Sequence, residues 1–464
     1  MIFTMKTKTF LIKLPLVLLS VFMFHSCELP ETNINPNNPT VVPPSVMLPF
    51  VQESFARLSC GTPQVMAGIF MQYYQGVNNH PIQVQQYILD ETLYVNWDWN
   101  DYYDGPMNNL KIMIDIAEKE KSYYYAGIGK VLMANCLGNI TSVWGDVPYK
   151  EAFSGSVIRN PVFDPQKDVY ESVQKLLDDA ITDLQTNYTG KKPAADDIIF
   201  GGNAGKWIQA AHALKARYYM HLTKRASDLD YNPAQKALDA ITNAIKSSDG
   251  DMIYKFGYNA AEYNPFYSYT LLEYILPNLT LTNKMLMTND PRRAFYYKKK
   301  FGVATLNGLY FSSSSSPVFL ITYHELKFIE AEARLRLNAS DPVAQTALQD
   351  GVRASIKKIT GTATTDAAIN SFINANAVLK GNFDNDLSVI INQKYIAMFT
   401  SIESWTDYRR TGYPVLVPNE GGGHNQNPGG AIPRRFAYPH NERIYNTNFP
   451  EKLPNLQDRF WWDL

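Results

Sequence analysis

Histidine, cysteine and carboxylate side chains are where catalysis usually starts, and their spacing in this sequence misses the common solutions. His324-Glu325-Leu326-Lys327-Phe328 opens like a zinc-protease helix, but the second imidazole belongs at position 328, where Phe stands. Gly201-Gly202-Asn203-Ala204-Gly205-Lys206-Trp207 has the outline of a phosphate loop, yet position 200 is Phe and Trp207 occupies the place of the magnesium-binding hydroxyl. A helix start capped by asparagine accounts for the same residues. No Gly-x-Ser-x-Gly elbow occurs, and no Cys or His falls at metal-ligand spacing. Asp384-Asn385-Asp386 lacks the glycine and distal glutamate of a calcium loop and reads as turn and cap chemistry. The expectation is a protein with no catalytic residue, no metal and no cofactor.

What the sequence does offer is aromatic surface. It holds 30 Tyr, 23 Phe and 7 Trp, more than a core alone usually needs, and Tyr is the ring that can sit half wet. Two segments combine such rings with amides: Tyr73, Tyr74, Gln75, Asn78, Asn79 and His80 with Trp97 downstream, and Tyr258, Asn259, Tyr263, Asn264, Phe266, Tyr267 and Tyr269. Trp99 and Tyr103 are spaced i, i+4, which predicts a helix packing face for Trp99 rather than a ligand platform.

The elements that must carry these segments are helices. Val169, Val173, Leu176, Ala180 and Leu184 fall on one helical face, as do Trp207, Ala211, Leu214, Tyr218 and Leu222. Asp164-Pro165, Asn232-Pro233 and Asp341-Pro342 place a cap residue before a proline, and Thr322 with Glu325 spells a capping box. The spacing predicts helix pairs at 126–140 with 165–187, 204–226 with 233–247, and 322–338 with 342–359. Such serial hairpins predict an all-α fold with a scaffold like that of tetratricopeptide (TPR) repeats, of irregular repeat length. Between them, 61–108, 249–320 and 412–464 read as long aromatic-rich loops, where function usually sits.

Bulk properties narrow the rest. The 464 residues carry 43 basic and 44 acidic side chains, so no global field attracts nucleic acid. Lys6, Lys8 and Lys13 precede an apolar run from Leu14 to Phe24 that ends at Ser26-Cys27, the pattern of an export signal with a lipid-modified cysteine. That run is too short to span a bilayer, which takes about 20 residues. The expected organisation is a signal peptide at 1–26, a lipidated tether at 27–48 rich in Pro and Asn, and a single domain at 49–464. Cys60 and Cys136 are an even pair, able in principle to bridge; Cys136 lies in an apolar helical stretch, where a free cysteine packs as a small hydrophobe.

Taken in order, a series of short motifs resembles the SusD/RagB-like outer-membrane lipoproteins, in particular their compact SusD-like branch. Trp144-Gly145-Asp146-Val147-Pro148-Tyr149 comes first, then Asp164-Pro165-Gln166 with Val169-Tyr170, then Lys206-Trp207 with Ala213-Leu214-Lys215-Ala216-Arg217. Asp290-Pro291-Arg292, Glu325 with Ala331-Glu332-Ala333, and Gly351-Val352-Arg353-Ala354-Ser355 follow. Gln393-Lys394-Tyr395, Glu403-Ser404-Trp405 and Arg409-Arg410-Thr411-Gly412-Tyr413-Pro414 come next. Pro433-Arg434-Arg435, Tyr438-Pro439, Glu442 and Trp461-Trp462-Asp463 close the series.

The resemblance implies a TPR-like helical receptor held at the cell outer membrane by a lipid on Cys27. It implies a SusC-like TonB-dependent transporter as partner and an oligosaccharide or oligopeptide as ligand. Sugar rings present apolar faces edged by hydroxyls, so a receptor needs aromatic platforms beside amides. By region this favours Tyr74, Asn78, Asn79, His80, Trp97, Tyr263, Asn264, Phe266, Tyr267 and Tyr269 as ligand-binding residues. The motif arginines Arg409, Arg410, Arg434 and Arg435 read as ion pairs and helix-end contacts. The competing classes are a TPR-like scaffold that binds only protein and a secreted hydrolase on a helical frame.

Overall fold

Asparagine, aspartate and proline set where the helices begin. In the computed structural model, which describes residues 42–300, 303–306 and 309–464, Asn203 Oδ1 accepts from Lys206 N at 3.0 Å ahead of helix Ala204–His221. Asn232 does the same for Pro233–Ile241 and Asp341 for Pro342–Thr360, each with proline at the first turn. The three expected hairpins form from Tyr123–Trp144 with Gln166–Gln185, Ala204–His221 with Pro233–Ile241, and Tyr323–Leu337 with Pro342–Thr360. Two further helices, Asp366–Asn376 and Phe383–Ala397, close a second apolar cluster around Phe328, Leu348, Val352, Ile356 and Ile390. The compact unit runs from Pro44 to Leu464.

Helix Tyr123–Trp144 is buried along nearly its whole length, so its neighbours must approach from all sides. Gly138 makes one approach possible: a Cβ there would stand 2.2 Å from Tyr218 Cζ. Tyr218 is itself fully buried and its hydroxyl donates to Asn135 Oδ1 at 2.8 Å. Charges lock the hairpins together. Arg217 forks onto both Glu325 oxygens at 2.6 and 2.7 Å, tying the second hairpin to the third, and Arg410 pairs with Glu332 and Asp407. Arg434 holds Asp463, and Arg409 donates to the carbonyls of Ser142 and Arg434. The motif arginines therefore act as scaffold.

Several expectations need correction. The fold begins before 49: helix Pro44–Leu58 buries Met47 and Leu48, whose apolar side chains find the core within the stretch assigned to the tether. Cys27 and the signal segment lie outside the described residues. Asp164 does not cap the helix after Pro165; it accepts from Tyr149 N and Lys150 N, and Asp146 Oδ1 takes Gln166 N instead. Thr322 Oγ1 accepts from Glu325 N, but Glu325 turns away to Arg217 rather than completing the box. The loop at 61–108 is largely helical, with Thr62–Phe70, Asn79–Gln85, Tyr94–Tyr102 and a π turn at Tyr103–Met107. Cys60 and Cys136 are both buried and free, and Cys60 Sγ donates to Ala56 O. Residues 384–386 lie in the first turn of helix Phe383–Ala397, and Asp386 accepts from Lys380 N and Gly381 N of the loop that leads into it. Among the described residues no helix is long and apolar enough to cross a membrane, and no cluster of three or more His, Cys, Asp or Glu is placed to hold a metal.

The strands are short and antiparallel, in two-stranded pairs. Met252–Tyr254 pairs with Val318–Ile321, and Lys298–Lys300 with Val303–Thr305. Tyr74–Gly76 pairs with Ile275–Pro277, and this ladder joins the two aromatic segments.

Candidate ligand-binding cleft

The ladder continues past its last strand residue, because Val77 N and Asn78 N both donate to Tyr274 O at 3.0 and 3.4 Å. That carbonyl fixes the start of helix Asn79–Gln85, where Asn78 Oδ1 accepts from Asn79 N at 2.8 Å. Asn79 takes a left-handed φ of 52°, which asparagine tolerates better than most residues, and its side chain accepts from His80 N at 2.7 Å. On the other side Tyr274 N donates to Tyr269 O at 2.9 Å and closes helix Pro265–Leu271. Between these two turns lies a cleft of about 260 Å³ lined by Asn79, His80, Pro81, Tyr94, Ser268, Tyr269 and Tyr274.

Rings make most of its wall. His80 stacks on Tyr94 with centroids 3.6 Å apart, and Trp97, one helical turn on, meets Tyr94 edge to face at 5.5 Å. Tyr269 and Tyr274 meet edge to face at 6.4 Å, and the Tyr269 hydroxyl lies 3.0 Å from Thr62 Oγ1. Trp97 is 52% exposed, the only tryptophan among the large exposed hydrophobics of the described residues. An indole presented this way has an apolar face available without loss to the core. Burial raises the Tyr269 hydroxyl to about 12, so it stays a neutral donor or acceptor. The arrangement can hold a flat apolar ligand face and offer amide and hydroxyl groups at its edge.

The residues expected from sequence divide into three groups. Asn79, His80 and Tyr269 line the cleft, with exposed Asn78 and Trp97 beside it. Tyr263 and Tyr267 are half-buried against each other at 5.6 Å and do not line it. Tyr74, Asn264 and Phe266 are scaffold. Tyr74 is fully buried, donates to Gln64 O at 3.2 Å and packs on Phe266 at 5.4 Å. Asn264 caps its helix by accepting from Phe266 N and donates to Ser316 O, both at 2.8 Å. Tyr74 faces inward by strand alternation, Asn264 is spent on the helix cap, and Phe266 lies on the buried side of that helix against Tyr74. Tyr94, Pro81, Ser268 and Tyr274 were missed. Tyr94 had a readable signal, its i, i+3 spacing to Trp97; Tyr274 is brought in by strand pairing between distant segments.

A second, interior cavity of about 60 Å³ touches Asn135, Asn139, Arg217, Glu325 and Glu403. Its polar walls are the ion pairs that lock the hairpins, and its volume suits a few waters.

A family model described as "Starch-binding associating with outer membrane", the SusD-like family, matches residues 36–439. The chain belongs to that family. Among solved structures it is similar to a chitin-binding protein at 21% identity and a TM-score of 0.78, covering 91% of this chain and 100% of that one. A SusD/RagB family protein from Bacteroides thetaiotaomicron is 23% identical with a TM-score of 0.73, over 91% of this chain and 99% of that one. A chitin-binding SusD homolog from Flavobacterium johnsoniae is 21% identical with a TM-score of 0.73, over 90% and 99% of the two chains. At these identities the structures show the shared fold, the TPR-like helical fold of SusD-like proteins. Comparison with curated proteins finds no match.

Proposed function

We propose that this protein is a non-catalytic receptor of the outer membrane that captures an oligosaccharide in the cleft between Asn79–Pro81 and Ser268–Tyr274. In this reading it is anchored through a lipid on Cys27 and passes its ligand to a SusC-like TonB-dependent transporter. The observation that carries it is the half-exposed Trp97, standing beside a cleft walled by Tyr94, Tyr269 and Tyr274. A ring face flanked by amides and hydroxyls matches the alternation of apolar face and hydroxyl edge on a pyranose. Membership of a family described as starch-binding supports the ligand class.

The test is incubation of the purified full chain with maltooligosaccharides, chitooligosaccharides and a mixed oligopeptide pool, followed by calorimetry and chromatography of the recovered ligand. Saturable binding of an oligosaccharide that is recovered intact is the expected result. Binding of peptide alone moves the ligand class to oligopeptide, and cleavage of any probe contradicts a receptor.

A further inference from the structure

We infer that the cleft selects uncharged glycans and turns away uronate or sulfated ones; this rests on its reading as the ligand site. The side chains that line it include no lysine and no arginine. An anionic sugar desolvated against aromatic walls needs a cation within hydrogen-bond reach, because burying an unpaired carboxylate costs far more than burying a hydroxyl. A hydroxyl needs only a neutral donor or acceptor, and Asn79, Ser268, Tyr269 and Tyr274 supply those.

The one basic group present is His80. Its ring is 5% exposed, stacked on Tyr94, and neither nitrogen has a hydrogen-bond partner. Burial pushes its pKa down to about 4 against the opposing pull of Asp90, so the imidazole is neutral at pH 7. The charged groups that act on the cleft's His80 and Tyr269 include the acids Asp90 and Asp98. Neither supplies the positive charge that a uronate requires.

The test uses calorimetric titration of the full chain, of Trp97→Ala and of Ser268→Lys with maltoheptaose, chitohexaose and hexagalacturonate. Ser268 is exposed on a helix, so the added lysine places a cation at the lip of the cleft without entering the core. The wild type is expected to bind a neutral probe at least about tenfold more tightly than hexagalacturonate, and Ser268→Lys to gain about tenfold for hexagalacturonate, the size of one charge-assisted hydrogen bond. Equal wild-type binding of hexagalacturonate and a neutral probe, with Trp97→Ala losing both, overturns the selectivity and leaves the site standing. No gain in a folded Ser268→Lys overturns the charge explanation. Absence of binding to all three probes, or Trp97→Ala binding like wild type, removes the cleft as the ligand site and the selectivity with it.

Discussion

A buried carboxylate among arginines ties stability to pH in a way that can be signed. Burial alone raises Glu403, and His221 and Arg217 beside it more than reverse this, holding it at about 2. A folded pKa below the ordinary 4.5 means the unfolded chain takes up the proton first as pH falls. The stabilising contribution is therefore complete above about 4.5 and is lost progressively toward about 2. Melting curves of wild type and Glu403→Gln between pH 6 and pH 2.5 should show a wild-type advantage that is full at pH 6 and shrinks on acidification through that window. An advantage that stays constant or grows would contradict the assignment. Single residues also set the limit of what sequence can say about the cleft. Asn79, His80 and Trp97 were legible because an Asn-Asn-His run and a tryptophan between Asn96 and Asp98 break the apolar periodicity of a core helix, although Trp99, two residues on, is core. Tyr74 and Phe266 have the same residue types and yet are core, because strand alternation and tertiary burial, not composition, decide which ring faces water.

Helices were the readable level. Their caps and prolines stand in the sequence as local chemistry, and Asn203, Asn232 and Asp341 fill the roles their types imply. What local chemistry does not contain is the partner at long range: Asp146 replaces Asp164 at Gln166 N, and Glu325 abandons its box for Arg217. The Tyr74–Gly76 ladder with Ile275–Pro277, which builds the cleft, is likewise a pairing across the chain that neither strand announces. Close approach of two helices is another such feature. Gly138→Ala puts a Cβ 2.2 Å from the Tyr218 ring, which is walled in by Tyr170 and His221 and bonded to Asn135. The forced shift should cost about 1–3 kcal/mol, read as a lower urea midpoint with an unchanged slope. A midpoint equal to wild type would show that the contact relaxes freely.

At the scale of the whole molecule, the proposed receptor is a helical frame that carries a cleft, with its membrane attachment proposed at Cys27. If the lipid on Cys27 is the membrane attachment, Cys27→Ala should leave the protein in the soluble fraction of cells that lack the transporter, since acyl chains hold a protein by about 0.8 kcal/mol per buried methylene. Quantitative pelleting of that variant with outer membrane would contradict the anchor. In the proposed function, rings beside the cleft bind ligand while rings in the frame hold the fold. Trp207 is the frame counterpart of Trp97: fully buried, with its indole N–H donating to Asp197 Oδ2 at 2.7 Å. Truncating it should cost about 3–5 kcal/mol and lower the melting temperature by several degrees. The most direct measurement is therefore calorimetric titration with the bound oligosaccharide, paired with a melting curve, on Trp97→Ala and Trp207→Ala. Trp97→Ala is expected to melt like wild type and lose most of its affinity, while Trp207→Ala melts early; a Trp97→Ala protein that binds at wild-type affinity would refute the assignment of Trp97 to the ligand site.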